Sequence, residues 1–122
     1  MRNKIIVKKM LSYCNSIIER SKGVRESFSQ LTPDMDIFKA FAFDLLQLGE
    51  LAGKVDDEFR KRHPNIPWFD IKGVRNRMAH GYEGVNLNIF RDIVLEHIPL
   101  LHEQLSSISE YGSQYPEVAD IS

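Results

Sequence analysis

Eight consecutive residues, Arg75-Asn76-Arg77-Met78-Ala79-His80-Gly81-Tyr82, bring together two arginines, an amide, an imidazole and a phenol. Arginine is a permanent cation whose planar fork of donors fits a phosphate, and histidine is the side chain best suited to exchanging protons near neutral pH. These are the parts of a metal-free phosphoryl-transfer site. An arginine followed five positions later by a histidine is common by chance, so the elements that carry the segment decide its weight.

Those elements are helical. Ile6, Met10, Cys14 and Ile17 repeat at helical spacing and predict a first helix from about residue 3 to Lys22, with Gly23 as its stop. Thr32 or Asp34 is suited to cap a long second helix. In it Phe38, Phe41, Leu45, Leu48, Ala52, Val55 and Phe59 step by three and four as one unbroken seam. A second stripe of the same helix, Ala42, Leu46, Gly49 and Gly53, lies about 100° away. Each interior glycine costs about 1 kcal/mol relative to alanine, which suggests that another backbone packs close there. Two apolar faces call for two partners: one in this chain and one in a second copy, or both within the monomer.

Pro64-Asn65-Ile66-Pro67-Trp68 interrupts the helical pattern, and Pro67 suits the first turn of the next helix, which runs to about His80 and ends at Gly81. Trp68 is expected to staple the start of that helix to the core rather than to stack on a base. Asn86 or Asn88 starts a final helix, bent at Pro99, and the periodicity fades from Tyr111. The expected architecture is an all-α, antiparallel four-helix bundle: one domain over residues 1–110 and a flexible tail over 111–122.

Composition narrows the function. With 122 residues and 43% hydrophobic content the chain has material for one core. It shows no signal-peptide pattern and no run of roughly 20 apolar residues, so a cytoplasmic protein is expected. Cys14, the single cysteine, sits among apolar neighbours and is expected to be a buried thiol. The net charge of −1 argues against a general nucleic-acid coat protein, yet it conceals a partition. Arg60, Lys61, Arg62, Lys72, Arg75 and Arg77 stand against Asp70 alone in residues 60–80, a net +5, whereas residues 83–122 carry −6. The positive potential coincides with the motif, as expected where a polyanion is handled at one place, although pairing between helices would use the same charges. His63, His80, His97 and His102 show no ligand spacing with carboxylates or Cys14, so no metal site is expected.

Three segments in order resemble the HepT-like branch of the HEPN superfamily: Leu48-Gly49-Glu50-Leu51-Ala52, then His63-Pro64-Asn65-Ile66-Pro67-Trp68, then Val74 to Tyr82, followed by Ile98-Pro99-Leu100-Leu101. The resemblance spans about Phe41 to Leu105 and is far more specific than the arginine–histidine pair. It implies a helical homodimer whose motif helices line a shared cleft, and metal-independent, cofactor-free cleavage of RNA. It further implies a toxin neutralised by an MntA-like nucleotidyltransferase antitoxin that adds AMP to the tyrosine after the histidine, here Tyr82.

In such a cleavage Arg75 would clamp the nonbridging oxygens and His80 would act as general base or acid. Asn76 would orient the phosphate or the imidazole, Glu50 would hold Arg75 or Arg77 in place, and Arg77 and Lys72 would bind the RNA backbone. On a straight helix Arg75 and His80 diverge by about 140°, which favours a site shared between two chains, the partner's histidine supplying the second proton transfer. A position in the last helical turn favours the imidazolium of His80. Each residue also has a structural role available: Arg75 as an ion-pair partner of Glu50 or Asp44, Asn76 as a buried hydrogen-bond hub, His80 as a helix cap. The competing function is a noncatalytic helical partner that presents itself, or a nucleotide, to a nucleotidyltransferase.

Overall fold

The computed structural model describes residues 2–79 and 86–112, with side chains for 2–74 and 86–108. The chain forms α1 (Arg2–Lys22), a 3-10 turn (Arg25–Gln30), α2 (Asp36–Gly53), α3 (Asp57–Arg62) and α4 (Trp68–Ala79). It continues through α5 (Leu87–Asp92), a π-helical turn (Ile93–His97) and α6 (Ile98–Gly112). Among the described residues there is no strand.

The last three elements follow one another without a gap, so the long members are four: α1, α2, α4 and the α5–π–α6 rod. Four links fix their directions. Asn3, at the start of α1, exchanges hydrogen bonds with Asp56 beyond the end of α2, while Arg20 near the end of α1 meets Asp44. Gln104 of α6 donates to the carbonyl of Asn65, just before α4. Phe90, at the start of the rod, stacks on Phe38, at the start of α2. The four therefore run up, down, up and down, the antiparallel bundle expected from the periodicity.

The core is continuous and dominated by the predicted seam residues. Phe38, Phe41, Leu45, Leu48, Ala52, Val55 and Phe59 are all buried, together with Met10, Cys14 and Ile17 of α1 and Leu101 and Leu105 of α6. Phe90 anchors the upper end: its ring stacks on Phe38 at 4.4 Å, with Phe28 at 5.8 Å and Phe41 at 6.0 Å. Burial pushes the Cys14 thiol up to about 12, so it is an unreactive core residue.

The structure corrects the expected elements in two places. The seam does not travel on one unbroken helix: α2 ends at Gly53, and Val55 and Phe59 reach the core through a turn and the short α3. Gly53 has the weak helix propensity expected of a terminus, and Asp56 adopts extended backbone before Asp57 and Glu58, the acidic first turn of α3. The amide of Asp56 donates to Asn3 Oδ1 and its carboxylate accepts from Asn3 Nδ2, both at 3.1 Å, which pins the break to α1.

Neither Thr32 nor Asp34 caps α2. The residue at that position is Met35, with no side-chain cap bond, and the Thr32 hydroxyl donates to Asp34 instead. That bond holds the Asp34 carboxyl below the usual carboxylate range.

Within the chain α2 packs most extensively on α4 and α1. Of its second stripe Ala42 and Gly49 are buried and Leu46 is half-buried, while Gly53 is exposed and a Cβ there would meet nothing within 4 Å. A second copy therefore does not follow from α2. The last helix, α6, is described to Gly112, and residues 113–122, most of the expected tail, lie outside the described residues.

Pro99, lacking an amide hydrogen and crowding the preceding turn, is the second residue of α6, separated by Ile98 from the five-residue π turn, a widened turn that accommodates a disturbed hydrogen-bond ladder. At the other end of the rod, Asn86 caps α5, its Oδ1 accepting from the amides of Asn88 at 2.9 Å and Ile89 at 3.2 Å.

Candidate active-site helix

Helix α4 is placed by its first turn. Trp68 is buried, its Nε1 donates to the His63 carbonyl at 3.1 Å, and its ring lies edge-on to Phe59 at 6.2 Å. Ile71 donates its amide to the Pro67 carbonyl at 3.0 Å, which sets the helix going directly after the proline. The tryptophan is thus the staple anticipated from the sequence and is not available to a base. Beside it, His63 lies 4.6 Å from the Phe59 ring, and burial together with the Arg62 charge lowers its pKa from the usual histidine value.

Beyond this anchor α4 divides into two faces. Trp68 and Ile71 are buried and Val74 is half-buried, on the helix whose most extensive packing is against α2. Phe69 and Lys72 are exposed, and a Cβ at Gly73 would meet nothing within 4 Å. The backbone of α4 carries Arg75, Asn76 and Arg77 in its last two turns. At 100° per residue, position 75 continues the line of Trp68 and Ile71, whereas positions 76 and 77 continue that of Phe69 and Gly73. The side chains of Arg75, Asn76 and Arg77, and all of His80 and Tyr82, lie outside what the structure describes.

Of the proposed supporting residues, Glu50 lies half-buried on α2, the helix against which α4 packs most extensively, and Lys72 is exposed on α4 itself. Asp44, one of the ion-pair partners the sequence offered for Arg75, is buried, and its carboxylate accepts from Arg20 Nη1 at 2.6 Å; Arg20 also reaches Ser16 Oγ at 3.4 Å and covers the Phe41 ring at 5.5 Å. This part-buried pair ties α1 to α2, and the sequence analysis missed it because Arg20 and Asp44 stand 24 positions apart with no local pattern linking them.

A feature that the sequence did not single out adjoins the motif. Phe69, Asp70, Gly73 and Val74 of α4 face Ile89, Asp92, Ile93 and His97 across an open groove of about 390 Å³. Phe69 is 84% exposed on its rim. The available signal was positional: Phe69 is one residue, or about 100°, from the core line through Trp68, on the side of Lys72 and Gly73.

No group of three or more histidine, cysteine, aspartate or glutamate side chains among the described residues could hold a metal ion. Nor is any helix among them long and apolar enough to cross a membrane.

The comparisons with known proteins bear on this helix directly. A family model described as Ribonuclease HepT-like matches residues 10–108, from the middle of α1 into α6. A protein of Caldanaerobacter subterraneus subsp. tengcongensis named a "Putative RNase" is 36% identical over 99 residues, 81% of this chain and 87% of that protein. One of Methanocaldococcus jannaschii with the same description is 26% identical over 81% of this chain and 89% of its own. A third, named "Probable ribonuclease HepT", from Thermococcus cleftensis, is 33% identical over 54 residues, 44% of this chain and 49% of its own. No solved structure matches. The helical bundle, the motif on α4 and the match across nearly the whole described chain place this protein in the HepT-like ribonuclease family.

Proposed function

We propose that this protein is a metal-independent endoribonuclease, the toxin of a toxin–antitoxin pair, acting through Arg75 and His80 at a cleft formed by two copies of the chain. The observation that carries the reading is the HepT-like ribonuclease match over residues 10–108, which includes the whole motif.

The 2′-hydroxyl of the RNA attacks its own adjacent phosphorus while the bond from phosphorus to the 5′-oxygen breaks. One group takes the 2′ proton and another delivers a proton to the departing 5′-oxygen, leaving a 2′,3′-cyclic phosphate and a 5′-hydroxyl. Arg75 stabilises the charge that builds on the nonbridging oxygens, and His80 performs one of the two proton transfers. Position 75 follows the bundle-facing line of α4 while Asn76 follows the outer one, so a single straight helix spreads its functional positions. This favours completion of the site by a twofold-related copy, although nothing in α2 demands one. Lys72 and Arg77 give the outer face its attraction for the RNA backbone, and Glu50 restrains an arginine of α4.

Tyr82, directly after the motif, is the acceptor for an AMP group supplied by an MntA-like nucleotidyltransferase. The added bulk and negative charge would occupy the place of an RNA phosphate and repel it.

The test is cleavage of total RNA in excess EDTA by the wild-type protein and by His80→Ala. Cyclic-phosphate ends from the first alone are expected. Cleavage by neither, with Tyr82 shown by mass spectrometry to carry no AMP, would instead favour a noncatalytic partner of a nucleotidyltransferase. For the antitoxin, Tyr82→Phe is expected to keep cleavage and escape neutralisation; AMP found on Tyr111 or Tyr115 would overturn that assignment.

A further inference from the structure

The groove beside α4 has an arrangement that the ribonuclease motif does not use. One wall is the outer face of α4, Phe69, Asp70 and Gly73; the other is formed by Ile89, Asp92, Ile93 and His97 of the final rod. An exposed phenyl ring on a helix is costly to keep in water and free to pair with a flat ligand, and Phe69 is the most exposed large apolar side chain among the described residues. Four residues along the same face, Gly73 leaves the space above the helix open, since a Cβ there would meet nothing within 4 Å. Asp70, Asp92 and His97 add polar groups around that apolar floor.

We propose that this groove is a nucleobase subsite, in which one base of a single-stranded RNA stacks on Phe69 and lies over Gly73 with its polar edge toward Asp92 and His97. The proposal rests on the ribonuclease reading and adds where the substrate is gripped beside the cleaved bond.

Three observations favour a base as the occupant. The lining mixes apolar and polar groups, as a base offers a π face and a hydrogen-bonding edge, whereas a purely apolar partner would leave three titratable side chains facing it unpaired. The two carboxylates would repel a phosphate but accept hydrogen bonds from the N–H groups of a base edge. Lys72, exposed on the same helix and outside the groove lining, is available to an adjacent backbone phosphate. Distance is the third. From position 73 to position 76, where the motif asparagine stands, a helix rises about 4.5 Å, so a base held over Gly73 and a phosphate handled one turn on are within about one nucleotide of each other.

The experiment uses the whole protein and two single-stranded RNA probes with 2′-O-methyl groups, which cannot undergo attack by the 2′-oxygen. One probe is intact and the other lacks a single base beside the mapped cleavage position. Binding of each is measured for wild type, Phe69→Ala and Phe69→Trp, alongside cleavage of the unmodified RNA and the molecular mass of each variant in solution.

Phe69→Ala is expected to weaken binding of the intact probe about tenfold or more, the usual loss for one stacked base, and to leave binding of the abasic probe unchanged. Phe69→Trp should restore the intact probe's affinity. Equal loss on both probes, or no loss on either while wild type cleaves RNA, would overturn the base subsite and leave the ribonuclease reading standing. A dimer that falls to monomers in Phe69→Ala would assign the groove to a second copy and overturn it too. Wild type that neither binds nor cuts RNA would remove both.

Discussion

Phe90 and Phe69 are the same residue type in neighbouring helices, yet one is 1% exposed and the other 84%. Phe90 sits where α5 enters the bundle and meets three other phenylalanine rings, so its side chain serves the fold. Phe69 stands on the outer face of α4, next to a glycine and across a groove from Ile89 and His97, and contributes little to the core. The contrast teaches that this bundle separates two tasks. Its upper end is closed by aromatic packing and a part-buried ion pair, while the outer face of the motif helix is kept open at a cost in exposed apolar surface.

The contrast breaks most visibly at the closed end. Phe90→Ala removes a ring that touches α2 and the 3-10 turn, and the expected loss is about 3–5 kcal/mol, read as a lower denaturant midpoint. Should Phe90→Ala prove nearly neutral, the aromatic cluster is not what closes the bundle. Arg20→Ala comes next. It strands the buried Asp44 carboxylate, for an expected loss of about 3 kcal/mol. Restoring most of that stability with the added change Asp44→Leu would identify the unpaired charge as the cause.

On the open face the expectation reverses. Phe69→Ala should alter stability by no more than about 0.5 kcal/mol, since few buried contacts are lost, while lowering RNA affinity as described above. A large loss of stability would mean that the phenyl ring belongs to the fold after all.

The smallest effect concerns the base of α4. The folded state lowers the pKa of His63, so near pH 7.5 the folded and the unfolded chain both hold it neutral. As pH falls through the ordinary value of 6.5, the unfolded chain takes up the proton first and stability is lost, until the folded value is passed. The decline in Tm between pH 7 and pH 5 is therefore expected to be shallower in His63→Gln; an unchanged slope would remove His63 from the account.

Much of the architecture was legible because it depends on patterns local in sequence. The helical periodicity located α1 to within a residue, the proline-rich turn located the start of α4, and the cap of α5, Asn86, was one of the two asparagines, with Asn88, offered from type and position. The misreadings have a common cause. The break after Gly53 depends on Asn3, 53 positions from its partner Asp56, and periodicity carries no trace of that clasp. The Arg20–Asp44 pair went unforeseen because its members lie on different helices. The motif's importance was legible as a resemblance, and the family match agrees with it, but no rule of spacing says which phenylalanine of the chain remains in water.

By itself, then, the sequence determined the helical class, the up-and-down order and the position of the chemistry-bearing segment, since each follows from residue type and short-range spacing. Tertiary structure decided which charges pair, where α2 ends, and that Phe69 borders an open groove. Those outcomes turn on contacts between residues far apart along the chain. Such contacts arise only when the helices pack, because burial and pairing belong to the assembled bundle and not to any one segment.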